Sequence, residues 1–319
     1  MKIRSFVEQK GTLNVRMYSD YAPSGDLELI FDYYAPRDAT DKTETSETPK
    51  QIPEPFIWLV FYALAEALFA LNTGVCAKTG GADTGTSLDD IRKKKKGPWT
   101  SHQHADIKPK NIFLASPEDP YGAYPKPLLG DFDVAQPIRS QSASARRQER
   151  GTPGWKAPET ENKDLHPVYD ITSKTDIWAV GLVIWELMHA SLGTERLELL
   201  RSTAATNFAF HANDTFPSER ILGWNAMYTQ TLHDLVTRCL KINPNQRPSF
   251  IELRKEVWEG MQRLKGVLGD FEGVDVVERL RLRFERGDEF AVGGVAELPE
   301  RKKRKGGGGE ELAPMPGDT

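Results

Sequence analysis

The residues best suited to chemistry stand together at 104–111, in the run HADIKPKN. Asp106 offers a carboxylate that can orient a hydroxyl and take its proton, and Lys108 offers a cation for an anionic group in transit. Asn111 presents an amide oxygen suited to a hard metal ion, and a further acidic run, LGDFDVAQ, follows at 129–136. A carboxylate, a cation and an oxygen donor make up the set that phosphoryl transfer needs, because that reaction depends on positioning and charge neutralisation.

Three further runs follow in order: GTPGWKAPE at 151–159, DIWAVG at 176–181 and NPNQRPS at 243–249. With HADIKPKN and LGDFDVAQ they resemble the eukaryotic protein kinase family in order and approximate spacing. The resemblance implies an α+β, protein-kinase-like fold with a largely helical C-lobe and an incomplete β N-lobe. It implies ATP and Mg²⁺ as cofactors, Asp106 and Lys108 as catalytic residues, and Asn111 and Asp131 as metal ligands. Lys108 and Thr152 resemble the serine/threonine class. Glu159 and Arg247 match the family's bracing ion pair, and Asp176 its anchor beneath the catalytic loop.

The same resemblance identifies VRMYSDYAPSGDL (15–27) as the last upper-lobe strand and the hinge. Ser19 would be the gatekeeper, the Asp20 carbonyl and the Ala22 amide would face adenine, Asp26 would lie near the ribose, and Phe113 would floor the adenine. The glycine-rich phosphate loop, the strand lysine and its helix glutamate are not found; Lys2 and Lys10 lack the right surroundings. Domains are expected at 1–25 (upper-lobe remnant and hinge), 26–262 (lower lobe, with an insertion at 72–101) and 263–319 (extension and disordered tail). The expected remedy for the short upper lobe is a coding region upstream of Met1, or an alternative transcript.

Three departures bear on activity. Ala105 stands where an arginine usually receives a phosphorylated activation segment, so phosphorylation of Ser140, Ser142 or Ser144 would not act through that contact. Asp133 replaces the glycine after Asp-Phe, losing backbone freedom. Lys110 stands where members that select basic substrates carry a glutamate, which disfavours upstream arginine.

The elements that must hold these residues are legible more coarsely. Residues 13–22 partly alternate and predict a strand, and 25–35 have helical character. The apolar run FIWLVFYALAEALFAL (56–71), interrupted by Glu66 and preceded by Pro53 and Pro55, reads as a buried core helix. Helices are also predicted over 173–190, 229–240 and 250–264, with Cys239 and Trp258 as packing residues. The glycines at 80–85 have no phosphate-loop lysine after them, so 72–101 reads as an exposed insertion.

Composition sets the outer bounds: 39% hydrophobic and 28% charged residues describe a globular chain, and a net charge of −4 disfavours nucleic acid as partner. The basic runs at 92–96 and 301–305 read as solvated charge. Two cysteines, Cys76 and Cys239, make neither a disulfide framework nor a zinc site. A reducing, intracellular location, cytoplasmic or nuclear, is expected, with no signal peptide and no membrane partner. The reading is a serine/threonine protein kinase family member acting on protein hydroxyls, incomplete or inactive as given. The alternatives are a pseudokinase scaffold and a small-molecule phosphotransferase.

Overall fold

The alternation around residues 13–22 becomes one half of an antiparallel pair, β1 (Ile3–Glu8) with β2 (Val15–Ser19), in which Phe6 lies opposite Met17. The structure is a computed structural model that describes residues 3–8, 15–19, 21–34, 51–75, 98–117, 124–138, 150–161, 169–192, 197–198, 228–268, 281–283 and 289–291. Asp20, the serines at 140, 142 and 144, both basic runs and residues 292–319 lie outside the described residues.

After the segment 21–27 comes a short helix, α1 (Glu28–Tyr34), whose first amide, that of Glu28, donates to Asp26 Oδ1 at 3.0 Å. Then follows α2 (Glu54–Thr73), entered through Pro53 with Pro55 in its first turn, where a missing N–H costs nothing. Gly74 ends it at φ 69°, returning its N–H to the Ala70 carbonyl at 2.7 Å. The predicted core helix is thus 20 residues long, enough by length and apolar composition to cross a membrane, yet most of it is buried inside the fold.

Next come four short strands, β3 (His102–Gln103), β4 (Ile112–Ala115), β5 (Lys126–Leu129) and β6 (Gln136–Pro137). They pair antiparallel as β3 with β6 and β4 with β5. Residues 24–27 run beside β4: Leu27 donates to the Ile112 carbonyl at 2.8 Å and Leu114 donates to the Gly25 carbonyl at 2.8 Å. Residues 98–101, read from sequence as the end of an exposed insertion, return to the C-terminal turn of α2. There Trp99 Nε1 donates to the Leu71 carbonyl at 2.9 Å and Ser101 Oγ to the Asn72 carbonyl at 3.1 Å.

A four-residue helix, α3 (Pro158–Glu161), leads to α4 (Ser173–Met188), buried from Thr175 to its end. Thr172 caps α4 by accepting the Lys174 amide, while the Thr175 hydroxyl accepts the Thr172 amide. Helix α5 (Gln230–Cys239) packs on α4 at Gly181, where a Cβ would stand 2.6 Å from that of Cys239. Cys239 is a fully buried packing residue, as read from sequence, and burial pushes its thiol pKa up.

The last long helix, α6 (Phe250–Leu268), starts on a reciprocal cap between Ser249 and Glu252 and packs along α2. Trp258 is half-buried against Tyr62, ring centroids 5.4 Å apart. The core is therefore α2 wedged between α4 and α6, with β5 across one side. A final hairpin, β7 (Arg281–Arg283) with β8 (Glu289–Ala291), has no counterpart in the sequence reading, and its Leu282 joins the core.

Candidate active site

The loop 104–111 is built on β3 and held from below by α4. His104 and Ala105 donate their amides to the two oxygens of Asp176, at 2.7 and 3.1 Å. This lets Ala105 take a left-handed φ of 67°. Asp176 is fully buried, and burial pushes its carboxyl upward against the pull of the His104 ring and of those two amides. His104 Nδ1 accepts the Asp106 amide at 3.3 Å, which leaves Nε2 to donate to the Gly130 carbonyl at 3.0 Å. Phe132 lies edge-on to the same ring, centroids 4.8 Å apart. His104 thus locks the loop 104–111 to the segment carrying Asp131.

Pro109–Asn111 closes as one 3₁₀ turn, with the Asn111 amide on the Lys108 carbonyl at 3.0 Å. The turn aims Asn111 Nδ2 at the Asp106 carbonyl (2.8 Å) and at Asp106 Oδ2 (3.1 Å). Oδ2 also accepts Lys108 Nζ at 2.8 Å, and Oδ1 accepts both the amide and the hydroxyl of Thr152, at 2.9 and 2.7 Å. Lys108 Nζ in turn donates to the Thr152 hydroxyl at 2.7 Å. Burial alone would raise the Asp106 pKa; the hydrogen bonds from Lys108 and Thr152 outweigh it and hold the carboxyl below its usual range. Asp106 is an ionised, clamped carboxylate whose side chain is still 11% exposed.

Thr152 reaches Asp106 because Gly151 takes φ 89° and lies so close to the loop that a Cβ there would fall 2.3 Å from the Ala105 carbonyl oxygen. The Gly130 amide donates to the Asn111 carbonyl at 2.9 Å, which brings the exposed Asp131 beside Asn111. Asp131 is left-handed at φ 60°. Among the described non-glycine residues only Ala105 and Asp131 have positive φ, so Asp133 occupies its family glycine position without needing glycine's freedom.

Beneath the loop, the Arg247 and Glu159 side chains have no exposure and form a two-pronged pair at 2.7 Å on each side. The remaining guanidinium donors reach the carbonyls of Lys241, Lys174 and Ile242, and the group lies 5.1 Å from the Trp178 ring.

The nucleotide-side residues are brought together less completely. Asp26 and Phe113 are bridged across the hinge and β4, and Ala22 lies in the same described hinge segment. One Asp26 oxygen already caps α1. Lys110 pairs with Glu28 at 3.3 Å, both exposed. Sequence reasoning missed the double donation of Thr152 and the locking role of His104. Their signals were the GTP run and the position two residues before Asp106.

The protein kinase domain family matches residues 101–259. The G2-specific protein kinase nimA of Emericella nidulans is 25% identical over 248 residues, covering 76% of this chain and 30% of that protein. The serine/threonine-protein kinase Nek5 of Homo sapiens is 30% identical over 156 residues, 48% of this chain and 18% of its own length. The calcium/calmodulin-dependent protein kinase cmkB of Emericella nidulans is 28% identical over 158 residues, 49% of this chain and 35% of its own. The chain spans less than half the length of each of these relatives. The family uses ATP with a divalent metal and acts on protein hydroxyls. The match covers the clamped Asp106, its anchor Asp176 and the buried Arg247–Glu159 pair, and the fold is the α+β fold of that family. The chain belongs to the eukaryotic protein kinase family, in its serine/threonine class.

Proposed function

We propose that the site around Asp106 transfers the γ-phosphoryl group of ATP to serine or threonine hydroxyls of proteins. The observation that supports this best is the state of Asp106: ionised, fixed through both oxygens by Thr152, Lys108 and Asn111, and still open to an incoming group. Asp106 would orient the acceptor hydroxyl and take its proton as the new O–P bond forms. Lys108, already beside Asp106, would set its ammonium against the group in transit. Thr152 keeps both in register.

The donor set fits Mg²⁺. Asn111 commits its Nδ2 to Asp106 and keeps its amide oxygen as a donor, and Asp131 adds a carboxylate. Among the described residues no cluster of three or more His, Cys, Asp or Glu forms a full protein cage. The two oxygen donors of Asn111 and Asp131 suit an ion which takes one or two protein ligands and completes its shell with phosphates and water. Bound there with ATP, Mg²⁺ would supply the countercharge for the triphosphate. The Asp20 carbonyl and Ala22 amide would hold adenine over Phe113, with Asp26 toward the ribose.

In this reading residues 1–25 are the upper-lobe remnant and hinge, 26–262 the lower lobe and 263–319 an extension. The protein works inside the cell, in cytoplasm, nucleus or both, where a buried free thiol such as Cys239 stays reduced. The test is incorporation of labelled phosphate into a mixed protein substrate at millimolar Mg²⁺-ATP, with Asp106→Asn and Asp131→Ala as controls. Incorporation lost in both variants supports the assignment. Wild-type incorporation no greater than that of Asp106→Asn overturns it.

A further inference from the structure

A small cavity of about 20 Å³ lies where β3, α3 and α4 meet against the loop 104–111. A space holds a water molecule when it exceeds roughly 10–15 Å³ and offers that water at least two polar partners. The lining meets both conditions. Gln103 on β3 borders the cavity and is only 4% exposed, and its Oε1 has no hydrogen-bond partner among the described residues. Gln136 stands opposite Gln103 in the β3–β6 pair, yet its Nε2 does not reach that oxygen. Asp176 on α4 also borders the cavity, and each of its oxygens accepts a backbone amide and keeps further lone pairs. Thr175 beside it is buried; its hydroxyl oxygen accepts the Thr172 amide, so its proton remains to be donated. Trp155 and Ala179 supply apolar walls.

We propose that this cavity is a binding site for a single water molecule, which donates to Gln103 Oε1 and to the Asp176 carboxylate and accepts the Thr175 hydroxyl. A buried acceptor left unpaired costs the desolvation of that group, whereas a bridging water restores the bond for a small loss of its own freedom. The water adds a third tie between β3 and α4, beside the amides that Asp176 takes from His104 and Ala105. Gln103 thereby becomes a positioning residue for the loop 104–111, acting through solvent on the carboxylate that anchors it. The site stands whether or not Asp106 transfers phosphate.

The test is oxygen magnetic relaxation dispersion of isotope-labelled water in solutions of the full chain, which counts long-lived internal waters, read beside the midpoint of urea unfolding. Gln103→Met keeps the length of the side chain and removes the acceptor. Ala179→Val fills the space and leaves the acceptor in place. Each variant is expected to lower the dispersion amplitude by about one water and to lower the urea midpoint. The double variant should unfold at higher urea than Ala179→Val alone, because no stranded oxygen remains, a gain that misfolding does not produce. An amplitude unchanged in either single variant overturns the site. So does a midpoint raised by either one, the result of filling a dry void or of removing an oxygen that had no partner to lose.

Discussion

Thr152 places two donors, its amide at 2.9 Å and its hydroxyl at 2.7 Å, on a single oxygen of Asp106, and its hydroxyl at the same time accepts Lys108 Nζ at 2.7 Å. One hydroxyl therefore registers carboxylate and ammonium against each other across 46 residues of chain. Thr152→Val keeps the amide contact and deletes the hydroxyl. Transfer should fall about 10²-fold, as expected for displacement of a positioned group by a fraction of an ångström to an ångström, with the midpoint of urea unfolding nearly unchanged. Thr152→Ser should restore most of the rate.

The Asp106 carboxyl titrates below its ordinary value of 3.8 in the folded protein. Between the two values the folded form binds fewer protons than the unfolded one. The contribution of the clamp to stability is then complete above the ordinary value and is lost as pH falls through the lowered one. Denaturant unfolding of wild type and Asp106→Asn should show a gap that is constant near neutrality and closes in acid. A gap that widens as pH falls would contradict the hydrogen-bond pattern.

Removing one partner of the Arg247–Glu159 pair leaves a charge with no exposure and no counterion. Arg247→Met or Glu159→Gln should cost about 3–5 kcal/mol by urea titration, and the double variant less than the sum of the singles. Arg247→Lys should rescue little, because one ammonium cannot serve both carboxylate oxygens and three carbonyls.

Lys110 and Glu28 form an exposed pair of the kind worth at most about 1 kcal/mol. The face they share is close to neutral, so a peptide array should show no selection for arginine upstream of the acceptor. Lys110→Glu creates two adjacent carboxylates and should introduce that selection. A strong arginine preference in the wild type would refute the assignment of that face to Lys110.

Residues 1–19 of this chain contain no glycine-rich run and no strand lysine of the family type. In the proposed reading Asn111 and Asp131 would hold metal and triphosphate without those countercharges. Calorimetry on the 319-residue chain should give a Mg²⁺-ATP affinity weaker than micromolar. Micromolar binding abolished by Asp131→Ala would show that the lower lobe suffices.

What the sequence displayed was residue identity at fixed short spacing. Asp106, Lys108 and Asn111 lie within one turn of loop, and the apolar run at 56–71 needs no partner to be recognised as core. The long-range geometry was hidden. The grip of Thr152 depends on a left-handed Gly151 lying against Ala105, and the lock of His104 depends on a carbonyl 26 residues away. Neither can be read from spacing, because each requires two segments to meet. Asp133 reads from sequence as a loss of backbone freedom; among the described non-glycine residues the left-handed φ falls at Ala105 and Asp131 and not at Asp133. The β7–β8 hairpin escaped notice because strands of three residues carry almost no periodic signal.

Asp176 collects the amides of two residues that precede it by 71 and 72 positions. The loop 104–111 therefore acquires its shape only after α4 has formed and docked, so the candidate site matures late in folding and cannot be assembled by a fragment that stops short of α4. It also follows that the His104 and Ala105 amides can meet solvent only when that docking is undone. Their deuterium exchange reports the opening of the whole domain, although they lie within two residues of the half-buried carboxylate of Asp106.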